Sequence, residues 1–188
     1  MKGKNIVEEV RKFVEEESKK PTAHYGYEPY PNHLVPMRDY AVQLAKRLGA
    51  DAEIVELATW LHDIGSIMNG REDHHIIGAK ITEKKLKELG YPQDRIEKVR
   101  HCILSHRASQ KIKPETVEAQ IISDADAISN FDNIPGIFMA AFIYENQSQQ
   151  EAKASVRQKL ERKWERLVLK ESRDLIKPRY EAIKLLLK

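Results

Sequence analysis

The chain has 188 residues, of which 41% are hydrophobic and 32% charged, a composition typical of one soluble globular domain with a sizeable core. Its 32 basic and 29 acidic residues leave a formal charge of only +3, so charge alone indicates neither a nucleic-acid polymer nor a membrane as a partner, and we expect neither. The single cysteine excludes an internal disulfide, and the lack of a signal-like segment or of an apolar run near the roughly 20 residues of a membrane span favours a cytoplasmic protein.

Almost every segment has apolar residues at helical spacing, and we therefore predict an all-α fold without strands. Before Pro135, the predicted helices cover residues 4–19, 33–48, 51–64, 74–89, 93–107 and 114 to about 130. Pro135 is expected to interrupt the chain before the apolar run 136–144. Two charged amphipathic helices, divided near Ser172 or Pro178, complete a single domain over residues 1–188.

The loop of residues 21–32 is rich in Pro, Gly and Tyr and separates the first two helices. Asn32 is a candidate cap of the second helix. Tyr25, Tyr27 and Tyr30 could form a lid over a site or an aromatic plug packed on the domain. The sequence leaves both alternatives open.

His33 lies one turn before Met37 on the apolar stripe of the second helix, together with Tyr40 and Leu44, so its ring is predicted to face the core. For His33 taken alone, the simplest interpretation is a core histidine bonded to a backbone carbonyl. A metal ligand is the alternative.

The pair His62 and Asp63 closes the third predicted helix, which Gly65 is expected to stop. His62 follows Ala58 and Leu61 on an apolar face, and Asp63 lies about 100° around the helix, close enough to reach the same ion. Because a lone buried carboxylate would take up a proton instead of staying charged, the pair indicates a metal site or an ion pair.

Asp124 and Asp126 are separated by the faces on which they lie. Asp126 shares its helix face with Ser129, a polar surface that could line a cavity, whereas Asp124 lies with Ile121 and Ile128. Asp126 is therefore the predicted ligand, and Asp124 either orients a ligating histidine or is solvated.

In order and context, these candidate ligands resemble the signature of the HD-domain metal-dependent phosphohydrolases. The runs HLVPMRDYAVQLA, LATWLHDIGS and ADAI are similar to the segments around the family's His, His-Asp and Asp positions, and the resemblance covers about residues 30–132. It implies a helical HD core over about 30–132 and a C-terminal helical extension over about 133–188. It also implies a first ion held by four residues: His33, His62, Asp63 and Asp126.

The resemblance extends to a second ion. In two-metal branches of the family a His stands four residues before a Gly, as His74 does before Gly78, with His75 as the alternative. A later inward-facing His is matched by His106, with His101, which lies on another face of its helix, as the alternative. The expected cofactor is therefore one divalent ion, or two, for each chain.

One departure concerns the substrate. Many family members carry an Arg facing the substrate phosphate three residues after the first His, and Pro36 stands there in this chain. Arg38, Lys80 and Arg107 are the candidates to replace it, although such side chains are mostly solvated.

The implied reaction is hydrolysis of a phosphate ester in a small metabolite, with a nucleotide or nucleoside phosphate as the leading class, by metal-activated water. His62 and Asp63 would be the catalytic pair, with Asp63 orienting the attacking water. Histidines combined with carboxylates favour an octahedral Mn, Fe, Mg, Co or Ni ion over closed tetrahedral zinc. The alternatives are a di-iron oxygenase or a lyase on the same fold, and a non-enzymatic regulatory module with a structural metal.

The C-terminal segment carries Leu160, Trp164, Leu167 and Leu175 at helical spacing. We expect it to pack against the domain, and it is a candidate homodimer surface.

Overall fold

The computed structural model of the protein describes residues 5–106 and 112–188. These residues form a bundle of helices. That part of the chain contains no strand, which confirms the all-α prediction. A π-helical turn (Tyr30–Leu34) precedes the second of the α-helices, which are α1 (Ile6–Lys19), α2 (Val35–Leu48), α3 (Ala52–Leu61), α4 (Ile64–Asn69), α5 (His74–Glu88), α6 (Gln93–Ser105), α7 (Val117–Ser129), α8 (Ile134–Ile143), α9 (Gln149–Glu165) and α10 (Lys170–Leu186).

The core lies where α2 packs on α3 and α7, and where α6 packs on α3, α5 and α7. Its largest fully buried side chains include Leu34, Met37, Leu44, Leu57, Leu61, Ile103 and Ile121. Cys102 is also fully buried, and burial raises the pKa of its thiol to about 12, so the thiol is unreactive at neutral pH. Close packing of this kind holds the polar side chains that interrupt the apolar stripes in fixed positions.

The bend between α3 and α4 places His62 and Asp63 at a helix junction. The side chain of Asp51 caps α3 as predicted, because it accepts a hydrogen bond from the amide of Ile54 at 3.2 Å. The prediction that Gly65 stops this helix was wrong. Helix α3 ends at Leu61, and Gly65 lies inside α4, which begins two residues after His62.

Gly65 is required by the close approach of α4 to α5. A Cβ atom built on Gly65 would lie 2.1 Å from the carbonyl oxygen of His74 and 2.7 Å from the amide nitrogen of Gly78. Both of these atoms belong to the backbone of α5, so no side chain could move to make room. The glycine therefore lets α4 approach α5 closely, and Asp63 and His74 lie near this crossing.

The segment before α2 is a π-helical turn where a loop was predicted. Asn32 does not cap α2, because its side-chain amide donates to the carbonyl of Glu28 at 3.0 Å. Tyr27 stacks on Tyr30, and Tyr30 stacks on Trp60, with ring centroids 5.5 and 5.8 Å apart. For these two tyrosines the structure favours the aromatic plug over the lid.

The C-terminal helices differ from the prediction in two ways. Pro135 occupies the start of α8, where its missing amide hydrogen costs nothing, and it does not interrupt a helix. The division between the last two helices lies at residues 166–169, while Ser172 and Pro178 are both inside α10. Ser172 is buried in the first turn, so it belongs to the packed face of the helix.

Asp124 ties this C-terminal part to α7. Its two carboxylate oxygens accept hydrogen bonds from the backbone amides of Val168 and Leu169 at 3.0 and 2.9 Å. The residue is 1% exposed, so it is not solvated, and its bonds to these amides differ from the predicted contact with a ligating histidine. The carboxylate fixes the link between α9 and α10 at the point where α10 begins.

The surface of α8 is unusually apolar. Met139, Phe142, Ile143 and Tyr144 are exposed on or just after this helix. Among the helices that the structure describes, none has the length and apolar character needed to cross a membrane.

The homodimer that the C-terminal segment was predicted to form stays a prediction.

Candidate metal centre

Four histidine rings surround the carboxylate of Asp63. Its Oδ2 atom lies 3.6 Å from Nε2 of His62 and 3.8 Å from Nε2 of His33. Its Oδ1 atom lies 3.4 Å from Nε2 of His74 and 4.0 Å from Nε2 of His106. One carboxylate thus joins the residues predicted for the first ion to those predicted for the second.

The orientation of three of these rings is fixed by backbone carbonyls. In each case Nδ1 lies within hydrogen-bond distance of the carbonyl oxygen three residues earlier, at 2.8 Å for His62, 2.9 Å for His74 and 2.5 Å for His106. Because a carbonyl can only accept, Nδ1 must carry the hydrogen in every ring. The Nε2 atoms of these neutral imidazoles therefore present lone pairs, as metal-ligating histidines do.

The Nδ1 atom of His33 also carries the hydrogen, but its partner is a side chain and not a backbone carbonyl. Its Nδ1 lies 2.9 Å from Oγ of Ser129, and that hydroxyl donates its own hydrogen to the carbonyl of Asp126 at 3.0 Å. The hydroxyl must then accept from Nδ1 of His33, which leaves Nε2 as a lone pair. Ser129 was noticed in the sequence only as a polar neighbour of Asp126.

The lone pairs of these rings point at one another. The Nε2 atoms of His33 and His62 are 3.3 Å apart, and so are those of His74 and His106. No hydrogen lies between the nitrogens of either pair, so each pair is repulsive unless a cation lies nearby. The ligand atoms of His33, His62 and Asp63 lie within 4.8 Å of one another, as do those of Asp63, His74 and His106, so both groups fit a divalent metal ion.

Burial keeps two of the rings, His33 and His106, neutral. It lowers the pKa of His33 below its usual range and lowers the pKa of His106 to about 4. Both rings are therefore uncharged near pH 7, which is the form that binds a metal.

Asp126 completes the group on the side of His33. Its Oδ1 atom lies 3.5 Å from Nε2 of His33, and its Oδ2 atom lies 3.4 Å from Nζ of Lys163. Burial would raise the pKa of Asp126, but Lys163 and the neighbouring imidazoles outweigh it and lower that pKa well below the usual range. Asp126 is a carboxylate at neutral pH and is available to a cation.

The sequence model of the HD domain family matches residues 30–130, which is more than half of the chain. The chain belongs to the HD domain family.

Longer curated proteins are similar to part of this chain. Ribonuclease Y of Thermoanaerobacter pseudethanolicus is 33% identical over 99 residues, covering 52% of this chain and 18% of that protein. The tRNA (cytidine(56)-2'-O)-methyltransferase of Picrophilus torridus is 29% identical over 131 residues, covering 64% of this chain and 37% of that protein. The chain therefore spans less than two fifths of either relative.

Solved structures share the fold over nearly the whole chain. Bacillus subtilis YpgQ in complex with ADP superposes with a TM-score of 0.75 and 21% identity, covering 96% of this chain and 90% of that chain. Lin1889 of Listeria innocua superposes with a TM-score of 0.75 and 14% identity, covering 100% of this chain and 94% of that chain. The C-terminal helices are therefore part of the shared fold.

His75 and His101, the predicted alternatives to His74 and His106, do not join the ligand cluster around Asp63. His75 is buried beside His74, with ring centroids 5.9 Å apart, but its ring nitrogens are not part of either ligand group. The Nε2 atom of His101 accepts a hydrogen bond from the amide of Glu115 at 3.2 Å, away from the ligands. The structure thus brings His74 and His106 to Asp63, and it does not bring the alternatives.

The cations predicted to bind substrate are not brought to the cluster. Arg38 forms an ion pair with Glu56 at 2.5 Å, and Lys80 is exposed on α5. Arg107 lies outside the described residues. Among the described residues, Lys163 of α9 reaches a predicted ligand, Asp126. Sequence reasoning missed Lys163, because α9 is distant from the HD signature along the chain.

Proposed function

We propose that this protein is a metal-dependent hydrolase of phosphate esters that acts on a small phosphorylated metabolite, with a nucleotide or nucleoside phosphate as the leading class. The observation that carries the proposal is the convergence of four imidazole lone pairs and two carboxylates in one partly buried cluster. Membership of the HD family supports it, and the complex of the structural relative YpgQ with ADP supports the nucleotide class.

The chain offers two groups of ligands around a shared carboxylate. His33, His62 and Asp126, with one oxygen of Asp63, would hold one ion, and His74 and His106, with the other oxygen of Asp63, would hold a second. Such an ion supplies activated water and polarises the phosphoryl oxygen when bound. The dominance of imidazole favours Mn, Fe, Co or Ni over Mg, which prefers oxygen ligands.

The protein groups around the cluster position the reaction. The carboxylate of Asp63 accepts hydrogen bonds, so it would accept one from the attacking water. That bond would orient a lone pair of the water oxygen toward phosphorus. The Nδ1 bonds of His62, His74 and His106 to carbonyls keep the rings from rotating, so the ligands need little reorganisation. The cluster provides these functions without a covalent nucleophile.

The decisive experiment combines metal analysis with a substrate screen. Purified protein would be assayed for bound metal and for phosphate release from nucleotides and other phosphorylated metabolites with added Mn²⁺, Fe²⁺, Mg²⁺, Co²⁺ or Ni²⁺. We expect metal-dependent release that chelation abolishes and that His62→Ala removes. His101→Ala is the matched control, because this ring lies outside the cluster, and it should keep both metal and activity.

The outcomes separate the alternatives. Activity that persists after chelation would contradict the mechanism. Phosphodiester cleavage of RNA without release from metabolites would favour a polynucleotide substrate, a second candidate supported by the similarity to Ribonuclease Y. Bound iron with a mixed-valent signal would favour an oxygenase, whereas bound metal without any turnover would favour a regulatory module. One ion per chain would remove His74 and His106 from the ligand set.

A further inference from the structure

Two lysines of α9 lie on one side of that helix, next to its buried face. Lys159 and Lys163 are four residues apart, which places them one above the other, and both are adjacent to the stripe of Val156 and Leu160 that packs into the domain. Both are partly buried, unlike the exposed Lys153 earlier in the same helix. Packing of α9 therefore buries part of both lysine side chains.

Contacts connect these lysines to the candidate metal centre. Nζ of Lys163 lies 3.4 Å from Oδ2 of Asp126, whose other oxygen lies 3.5 Å from the ring of His33. Lys163 therefore stands next to the cluster and shares a carboxylate with it.

Lys159 lacks a comparable partner. Within residues 5–106 and 112–188, no carboxylate oxygen lies within ion-pair distance of its ammonium group, although Glu145 and Asp126 attract it weakly from farther away. Burial lowers the pKa of Lys159, and the positive charges of Lys163 and Arg71 lower it further. Both of these cations thus repel the ammonium group of Lys159.

Arg71 does not share this burial, because its side chain is exposed. Its carbonyl accepts the hydrogen bond from Nδ1 of His74, so its backbone is fixed beside the second group of ligands. Lys159 and Lys163 are partly buried, and Lys159 has no carboxylate within ion-pair distance in the described part of the chain. A partly desolvated ammonium group without a partner is costly, and phosphate is an anion that suits two neighbouring cations.

We propose that Lys159 and Lys163 form an anion subsite that binds a phosphate group of the substrate other than the one that reacts, so that the protein prefers nucleoside diphosphates or triphosphates over monophosphates. The inference rests on the proposed function, because it places the reacting phosphate at the cluster. It assigns to α9 the charge that Pro36 does not provide after His33.

The test compares two ligands that differ by one phosphate. The full chain, loaded with Mn²⁺, would be titrated calorimetrically with AMP and with the methylene analogue of ADP, whose P–C–P bridge resists cleavage. For Lys159→Gln and Lys163→Gln we expect the affinity for the analogue to fall about tenfold, as for a lost charge-assisted hydrogen bond, while the affinity for AMP changes less than about twofold. Lys159→Arg should retain the affinity, and Lys153→Gln is the control of equal charge change on the same helix.

Metal content would be measured for every variant, because Lys163 contacts the predicted ligand Asp126 and its substitution could change metal binding. Lys159 has no such contact, so Lys159→Gln is the decisive variant. Equal losses for AMP and the analogue, no loss in Lys159→Gln, or a selective loss in Arg38→Gln or Lys80→Gln would each overturn the inference. A selective loss in a protein that releases no phosphate from any substrate would retain the anion subsite and refute the proposed hydrolase. If the protein releases phosphate but the lysine variants bind AMP and the ADP analogue with equal losses, the proposed hydrolase would be retained and the anion subsite refuted.

Discussion

The helices that carry the predicted metal ligands and the helices that follow them hold their charged and polar groups in different ways. In the first region, from the π-helical turn to α7, each of four histidine rings has a hydrogen bond at Nδ1, and the Nε2 lone pairs face one another. In the second region, from α8 to α10, Lys163 of α9 contacts Asp126, and Lys159, one turn away, has no carboxylate within ion-pair distance among the described residues. Histidine lone pairs thus meet in the first region, and positive charge of the second region lies next to them.

This difference separates two tasks. Lone pairs that converge at fixed positions bind a cation and define the chemistry, because their geometry costs nothing to form at the moment of reaction. We propose that the cations of the adjacent helix α9 bind the anionic part of the substrate and so determine which substrate is used. Such a division lets substrate preference change through α9 without disturbing the ligands, and the predictions below test whether the regions are separable.

The largest effect is expected for Asp63→Ala, which removes the carboxylate shared by both ligand groups. Metal affinity should fall more than about 100-fold, beyond what partners outside the ligand set contribute, and phosphate release should fall with it. Metal analysis and turnover measured over a range of Mn²⁺ concentrations check this. Asp39→Ala, which removes an exposed carboxylate on α2, is the control. Full metal binding by Asp63→Ala would show that the ligand assignment is wrong.

Gly65→Ala tests whether helix packing holds the ligands together. The added methyl group would collide with the backbone of α5, so we expect the free energy of unfolding to fall by about 3 kcal/mol and metal affinity to fall as well. Gly49→Ala provides the comparison, since Gly49 has open space around it and a φ of +65°, and should cost about 1 kcal/mol without affecting metal binding. Chemical denaturation and metal titration measure both quantities. Equal costs for the two variants would refute the role assigned to the α4–α5 contact.

Asp124→Ala tests the joint between the two regions. It leaves the amides of Val168 and Leu169 without their buried acceptors, and we expect a loss of about 2 kcal/mol in the free energy of unfolding. Because the ligands belong to the first region, metal affinity should be retained. Asp174→Asn, at an exposed ion pair of α10, should leave stability unchanged. Loss of metal from a folded Asp124→Ala protein would show that the regions are not separable.

The smallest effect is expected for Ser129→Ala. The hydroxyl accepts the hydrogen of Nδ1 in His33, so its loss frees the ring to rotate and should lower metal affinity about tenfold. Ser123→Ala, on the same helix but without a bond to His33, should have no such effect. Competition with a metal indicator dye provides the measurement, and equal affinities for the two variants would contradict the tautomer assigned to His33.

Much of the fold followed from the sequence, because apolar periodicity reports local structure directly. It predicted α2, α5 and α6 close to their observed bounds, although the last predicted residue of α6, Arg107, lies outside the described residues. It failed at Gly65, where glycine is required by a neighbouring helix and not by a helix end. It failed again at residues 166–169, because the link is held by Asp124, which is more than 40 residues earlier in the chain.

The sequence by itself determined which residues can ligate a metal, since His33, His62-Asp63 and Asp126 combine ligand chemistry with apolar helix faces and the order of the HD signature. Only the tertiary structure decided that Asp63 faces both ligand groups, that His74 and His106 join it while His75 and His101 do not, and that Lys163 reaches Asp126. Periodicity is a property of one helix, whereas these contacts depend on how separate helices cross. The proposed reaction class therefore follows from the HD signature, whereas the proposed substrate preference depends on the position of α9 in the folded protein.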